Sequence, residues 1–355
     1  FKGLGMLLSF FSLPIYMGFF ENKLVLGVWF TILSTSNWIF MFDVGIGNGL
    51  RNCLTREFVR GDKQRIKTYI SSAYIMITVI ALVLLGIGTI ALGYVDWNNF
   101  FNISESVVDK ATLATTVKII YIGIILQFVF KIVIYILYAL QKSAVNNMIA
   151  FLTSLFQFLA VLLLPSSSIS DNLIRLAIVF VVSSNILYIA VTLVAFRDEQ
   201  LKGCGVSIKY FEKEAATKTI NIGVLFLWTQ ILHLLILLTD DYLVTKFTSP
   251  KYEVYFSIYY RLFSMAGTVF ALALTPVWSA VTKAQEERDY LWVKKIYKTA
   301  NLAVIVGVIG EFCIIALMQF VVNIWLGDHA IQVDYSYALI FAVYGSIMML
   351  QSVQE

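Results

Sequence analysis

Ionisable side chains fall inside long apolar stretches of this 355-residue chain, among them Asp43, Lys118, Lys131, Arg175, Asp240, Asp241, Arg261 and Glu311. An ionisable group deep in a bilayer costs on the order of 3 kcal/mol, so such groups are expected to face a polar cavity or one another. Lys118 and Arg175 sit near the ends of their stretches, where a long side chain reaches back to the interface. Asp43 and Lys131 lie about 28 and 24 Å along their helices from the outer ends, at 1.5 Å per residue, and are expected to pair. Asp240 or Asp241 precedes an outer hairpin and Arg261 follows it, which predicts a second pair. Each pair either only ties helices together, or takes part in holding an anionic headgroup or a coupling cation. Glu311 has no partner of matching depth, and is either a neutral carboxyl in a helix interface or a proton or sodium site. His233 has a similar choice, between an interhelical hydrogen bond and proton coupling.

The densest local signal is Asp43-Val-Gly45-Ile-Gly47-Asn48-Gly49-Leu50-Arg51-Asn52. Small residues at alternate positions permit close helix approach or a break in the helix, and Arg51 can cap a carbonyl end or hold a phosphate. Leu50 and the long apolar stretch before it exclude a dinucleotide-binding fingerprint, which needs a short strand and a third glycine. Pro14 and Pro276 are hinge points or tolerated kinks in two other stretches. Trp29, Trp38, Trp228, Tyr259, Tyr260 and Trp278 either stack on sugar rings or anchor helices at the membrane interface. Cys53, Cys204 and Cys313 have no CxxC spacing and no evident histidine partner, so neither a metal site nor a disulfide framework is expected.

The elements that must position these groups follow from composition. Hydrophobic residues make up 59% of the chain and charged ones 14%, with a mean hydropathy of +0.82, far from the roughly 25% charged of a soluble domain. Apolar blocks long enough to cross a hydrocarbon core of about 30 Å predict an all-α polytopic membrane protein. Stretches such as 75–92 are apolar all round rather than alternating, which excludes a β-barrel. Ten spans are expected, at 3–20, 24–50, 69–95, 115–140, 145–164, 173–196, 219–245, 253–282, 299–323 and 335–351. Several exceed the ~20 residues needed to cross and should tilt, kink or project.

The net charge of +4 is spread over short loops with no continuous basic face, so no nucleic-acid partner is expected. Lys2 and the loops after even-numbered spans hold 18 Lys and Arg, and the opposite loops hold 4. Basic residues are retained in the cytoplasm, so even-numbered spans end there. The charged stretch 197–218 reads as a linker between an N-terminal six-helix lobe, 1–196, and a second lobe, 219–355, of which four helices are present. Residues 48–73 lie over 275–300 without a gap, matching Asp62 to Asp289, Lys67 to Lys294 and Ala73 to Ala300. That is either an internal repeat or the shared composition of two basic hairpins. If both lobes have six helices, two follow Glu355, and the chain, which starts at Phe1 without Met, is expected to continue at both ends.

Several of these residues also resemble a known family. Trp29-Phe-Thr-Ile-Leu, Trp38 and the Asp43–Asn52 motif resemble the second helix of bacterial polysaccharide-biosynthesis flippases, the Wzx-type O-antigen transporters. Thr239-Asp240-Asp241, Tyr260-Arg261-Leu262, Thr275-Pro-Val-Trp278-Ser-Ala with Arg288-Asp289, and Ile324-Trp325-Leu-Gly327 resemble that family's second lobe. The resemblance implies the multidrug/oligosaccharidyl-lipid/polysaccharide exporter fold, two pseudo-symmetric lobes of helices around a central cavity. It also implies an undecaprenyl-pyrophosphate-linked oligosaccharide as substrate, moved from the cytoplasmic to the periplasmic leaflet of a bacterial inner membrane by alternating access. The family's usual twelve or more spans exceed the ten read here.

On this reading Arg51, Lys131 and Arg261 attract the pyrophosphate. Asp43, Asp240, Asp241, Glu311 and His233 balance charge or bind a coupling ion, and Gly45, Gly47, Asn48, Gly49, Pro14 and Pro276 shape the helices. No catalytic residue, metal or cofactor is expected, beyond coupling to H+ or Na+. Expected partners are the lipid-linked oligosaccharide, membrane lipids and other polysaccharide-assembly membrane proteins. A cation-coupled multidrug exporter of the same fold is the alternative, with a cavity richer in carboxylates. A membrane-embedded polymerase or ligase would need a large outer loop with catalytic groups, whereas the largest, 94–114, offers Asp96, Glu105 and Asp109 with no basic cluster.

Overall fold

The computed structural model describes the chain except residues 1, 42–44, 238, 287 and 355. Within helices it also leaves out the side chains of residues 2, 6, 37, 40, 41, 225, 226, 228–230, 233–237, 272, 273, 275, 276, 278–280, 282, 283, 285 and 286. Among the described residues there are helices and no strands. In chain order they are α1 (Lys2–Phe20), α2 (Lys23–Met41), α3 (Ile46–Arg60), α4 (Lys63–Ala91), α5 (Trp97–Phe100), α6 (Lys110–Phe130) and α7 (Ile132–Ala139). There follow α8 (Ala144–Leu163), α9 (Ile169–Ala195), α10 (Lys213–Leu237), α11 (Asp240–Phe247), α12 (Pro250–Glu286), α13 (Tyr290–Leu326) and α14 (Tyr335–Gln354).

Seven helical stretches among the described residues are long and apolar enough to cross a membrane, and they coincide with expected spans 1, 3, 4, 5, 6, 9 and 10. Spans 2, 7 and 8 fall on α2–α3, α10–α11 and α12, which include residues outside those described. Large apolar side chains point outward along α4 and α13, as at Leu82, Ile87, Ile90, Ile305 and Ile309. Such helices are stable only where lipid replaces water, so the chain is a multi-pass membrane protein.

Packing gathers the chain into two compact units. Unit 1 comprises 1–8 and 19–253, and unit 2 comprises 9–18 and 254–355. In unit 1, α6 lies along α9, where the amides of Gln127 and Asn185 donate to the carbonyls of Ser184 (3.2 Å) and Gly123 (3.1 Å). Such bonds join helices where no hydrophobic force acts between them. The 197–218 stretch lies on the basic end of α4. Arg65 pairs with Glu212 at 2.7 Å, and the Ser207 and Glu212 amides donate to Ser71 and Ser72. In unit 2, α13 packs on α14, and the Phe10 ring of α1 stacks on Trp325 at 4.0 Å. The packing division at 253/254 differs from the lobe division expected at 197–218, because α10 and α11 pack onto α3, α4 and α2.

The two hairpins matched in sequence share one turn geometry, each within its own unit. Gly61 (φ 70°) and Arg288 (φ 59°) are left-handed, and the next residues, Asp62 and Asp289, cap α4 and α13. The Asp62 and Asp289 amides donate back to the Glu57 and Ala284 carbonyls at 3.3 and 2.8 Å. These bonds stand at the same offset in both hairpins and are those of the left-handed turn that ends many helices.

Candidate functional site

The glycine motif does both things its spacing permits. The backbone turns at Gly45, whose φ of 66° lies in the left-handed region, and α3 starts immediately after it. The single expected span at 24–50 is therefore two helices, α2 and α3. Gly45 and Gly49, one turn apart, meet the backbone of α10 at Gly223 and Thr219; a Cβ on either would stand 2.0 Å from the facing carbonyl oxygen. Gly47 faces the Tyr135 ring of α7 instead.

Farther along, α3 is open beside this packing. An open basin of about 720 Å³ is lined there by Arg51, Asn52, Thr55, Arg56, Val59 and Arg60, together with Gln141 and Ile222. The Arg51 guanidinium stands over the Tyr138 ring, 5.4 Å from its centre, which orients it without neutralising it. Arg60 is paired with the buried Glu57 carboxylate at 3.5 Å. Three guanidiniums against one carboxylate leave the basin positive, and planar guanidinium forks match phosphate oxygens. Nearby, outside the membrane, a bond from Lys142 holds the Asp198 carboxyl below the usual carboxylate range.

The other expected residues are distributed as follows. Lys131 is half-buried in a cleft of about 10 Å³ with Ile46, Gly47, Ile77, Phe128, Ile132 and Tyr135, which has no room for a ligand. Arg51 and Lys131 therefore line different hollows of unit 1. Asp43 lies outside the described residues, as do the side chains of His233 and Pro276. Asn48 is half-buried beside the packed glycines, and Pro14 lies within α1. Asp240, exposed, and Asp241, half-buried, form the first turn of α11, where the helix dipole favours carboxylates. Arg261, in α12, donates to the Ser9 carbonyl and reaches the Ser9 and Ser12 hydroxyls at 3.2 and 3.5 Å. Glu311 is fully buried in α13, and neither carboxylate oxygen has a hydrogen-bond partner among the described residues.

Two features escaped the sequence reading. Arg56 and Arg60 look like ordinary loop charges until α3 is seen to continue to residue 60, which carries them along the same open basin as Arg51. Glu253, which the sequence reading did not single out, is fully buried in the first turn of α12.

A solved structure described as the inward-facing conformation of a multidrug resistance MATE family transporter of the MOP superfamily matches this chain. The TM-score is 0.69 over 98% of this chain and 80% of that one, at 13% identity. The chain has the fold of that transporter. At this identity the likeness speaks for architecture alone. No protein-family model matches the chain, and no curated protein matches it.

Proposed function

We propose that the protein is a membrane transporter, a flippase that carries an undecaprenyl-pyrophosphate-linked oligosaccharide from the cytoplasmic to the periplasmic leaflet of a bacterial inner membrane. Two helical lobes alternately open a shared site to either side. It serves synthesis of O-antigen or another surface polysaccharide, beside other membrane proteins of that assembly. The transporter fold supports the general reading, and the 18-to-4 bias of basic residues supports a cytoplasmic α3 end. The observation that carries the substrate class is the basin of Arg51, Arg56 and Arg60, because a positive, wide-open hollow at the cytoplasmic end suits a pyrophosphate and repels a cationic drug. Lys131 and Arg261 are proposed to meet the headgroup during passage, with Asp43, Asp240 and Asp241 balancing charge.

The test is translocation of a labelled undecaprenyl-pyrophosphate oligosaccharide in proteoliposomes. Arg51→Gln and Arg56→Gln should each slow it by on the order of tenfold, the value of one charge-assisted contact, with unfolding temperature unchanged. Unaltered transport in both variants refutes the basin as the headgroup site. The second reading, a cation-coupled multidrug exporter, is favoured by the name of the structural neighbour and by the buried Glu311. Efflux of cationic dyes with no movement of the lipid would decide for it.

A further inference from the structure

We propose that the hollow in the connection between α4 and α6 is a binding site for a sugar ring, at the end of unit 1 remote from the arginine basin. The hollow holds about 300 Å³ and is lined by Asp96, Asn98, Asn99, Asn102, Ser104 and Glu105, with Ile103. The 29 residues of α4, about 42 Å of helix, separate it from the turn that follows Arg60. The inference deepens the transport reading and rests on it only for the source of the sugar, the glycan of a lipid already carried across.

Asn98 gives the hollow a ligand-seeking group. Its side chain is only 6% exposed, and its amide nitrogen donates to the Val108 carbonyl at 2.8 Å. Reversing the amide would set its oxygen against that carbonyl oxygen, so the orientation is fixed. Asn98 Oδ1 is left as a buried acceptor with no partner among the described residues. A buried polar atom of this kind is exceptional and calls for a donor from outside the chain. Asp96 supplies a second acceptor. One of its oxygens accepts from the Asn99 backbone amide at 3.2 Å, which leaves the other for a ligand.

The charges decide the class of ligand. Glu105 is paired with Lys110, and the Lys246 ammonium donates to the backbone and side-chain oxygens of Asn99 at 2.6 and 3.0 Å. Two carboxylates and two ammoniums balance, so the hollow attracts neither an anion nor a cation. Calcium needs about six to eight oxygens, and Glu105 and Asn99 already serve ammonium groups. A neutral ligand rich in hydroxyls fits: its hydroxyls donate to Asp96 and to Asn98 Oδ1 and accept from an amide such as that of Asn99. The walls stand without a ligand. The Asn102 amide donates to the carbonyls of Thr245, Lys246 and Thr248 at 3.3, 3.4 and 3.0 Å, and Trp97 stacks on Phe101 at 5.8 Å. A hollow built in advance spares the cost of ordering it around the sugar.

The experiment is saturation-transfer NMR on the full chain in lipid nanodiscs. The probes are D-galactose, N-acetyl-D-glucosamine and L-rhamnose: a hexose, an amide-bearing sugar and a deoxy sugar. At least one should receive saturation from the native chain. Asp96→Ser keeps a capping oxygen for α5 and removes the carboxylate, so it should weaken that sugar on the order of tenfold with the unfolding temperature unchanged. Ser104→Tyr, which fills the hollow from an exposed position, should abolish the signal, and Arg51→Gln should leave it intact. No signal from any of the three sugars, a signal unchanged in both hollow variants, or one that appears only with added calcium overturns the proposal. A chain that binds sugar here and moves no lipid-linked oligosaccharide refutes the substrate reading alone. One that moves the lipid and binds no sugar refutes the hollow alone.

Discussion

Gly49 lies so close to Thr219 that a Cβ on it would stand 2.0 Å from the Thr219 carbonyl oxygen. Gly45 meets Gly223 in the same way one turn earlier, so small residues four apart on α3 face small residues four apart on α10. Close backbone approach of this kind replaces the hydrophobic force that lipid cannot supply. Gly49→Ala must push α10 away, at a cost of about 1–3 kcal/mol. Its unfolding midpoint in detergent should fall, while Asn48→Ala, half-buried beside it, should change little. Equal midpoints for both variants would mean that α10 yields freely.

Farther along unit 1, the hydroxyls of Thr31 and Thr245 meet at 2.5 Å, both fully buried, and join α2 to α11. The Thr31 hydrogen is directed to the Gly27 carbonyl at 2.9 Å, so Thr245 is the donor. Thr31→Val strands that donor at a cost of about 1–3 kcal/mol, whereas Thr31→Val with Thr245→Val removes both partners and should cost less than the two single changes together. A double-mutant cycle on thermal unfolding reads the difference; strict additivity would show that the bond contributes nothing.

What the sequence disclosed, and what it hid, follows from the range of each interaction. Glu311 and Arg261 stood out because a charge inside an apolar block violates its surroundings. Arg56 and Arg60 did not, because a charge just beyond an apolar block looks like any loop charge until the helix carrying it is known to continue. The break at Gly45 was legible as a possibility only, since one backbone dihedral decides it and the glycine spacing permits either outcome. The attachment of α10 to α3 depends on matching Gly45 and Gly49 with Thr219 and Gly223, some 170 residues away, and no local pattern encodes that match. Caps such as Asp62 and Asp289 were visible as residues but became a turn only through the left-handed residue before each.

Asp109 ties two outer helix ends together. It caps α6, accepting from the Thr112 amide (2.8 Å) and hydroxyl (2.6 Å), and also accepts from the Ser170 hydroxyl of α9 (3.1 Å). The Thr112 bonds, and to a lesser degree Ser170, hold its carboxyl below its ordinary value of 3.8 in the folded chain. Its contribution is therefore complete above that value and is lost as pH falls through the depressed one. Asp109→Ala should lower stability at neutral pH by about 1 kcal/mol, typical of a lost cap. Asp109→Asn, which cannot titrate, should blunt the acid-side decline of the unfolding midpoint. An unchanged acid limb in Asp109→Asn would assign the decline to other carboxylates.

Arg288 occupies the left-handed position before the cap of α13, with φ 59°, where the matching hairpin has Gly61 with φ 70°. A side chain in this region crowds the following carbonyl, and glycine does not. Arg288 is exposed, so its replacement removes no packing. Arg288→Gly should therefore stabilise the chain by up to about 1 kcal/mol, net of the greater freedom glycine has when unfolded. Gly61→Arg makes the reverse change and should destabilise by a similar amount, with Asp62 still capping α4. Thermal unfolding of both variants tests the two hairpins as one turn geometry: opposite shifts support it, and shifts of the same sign break the equivalence.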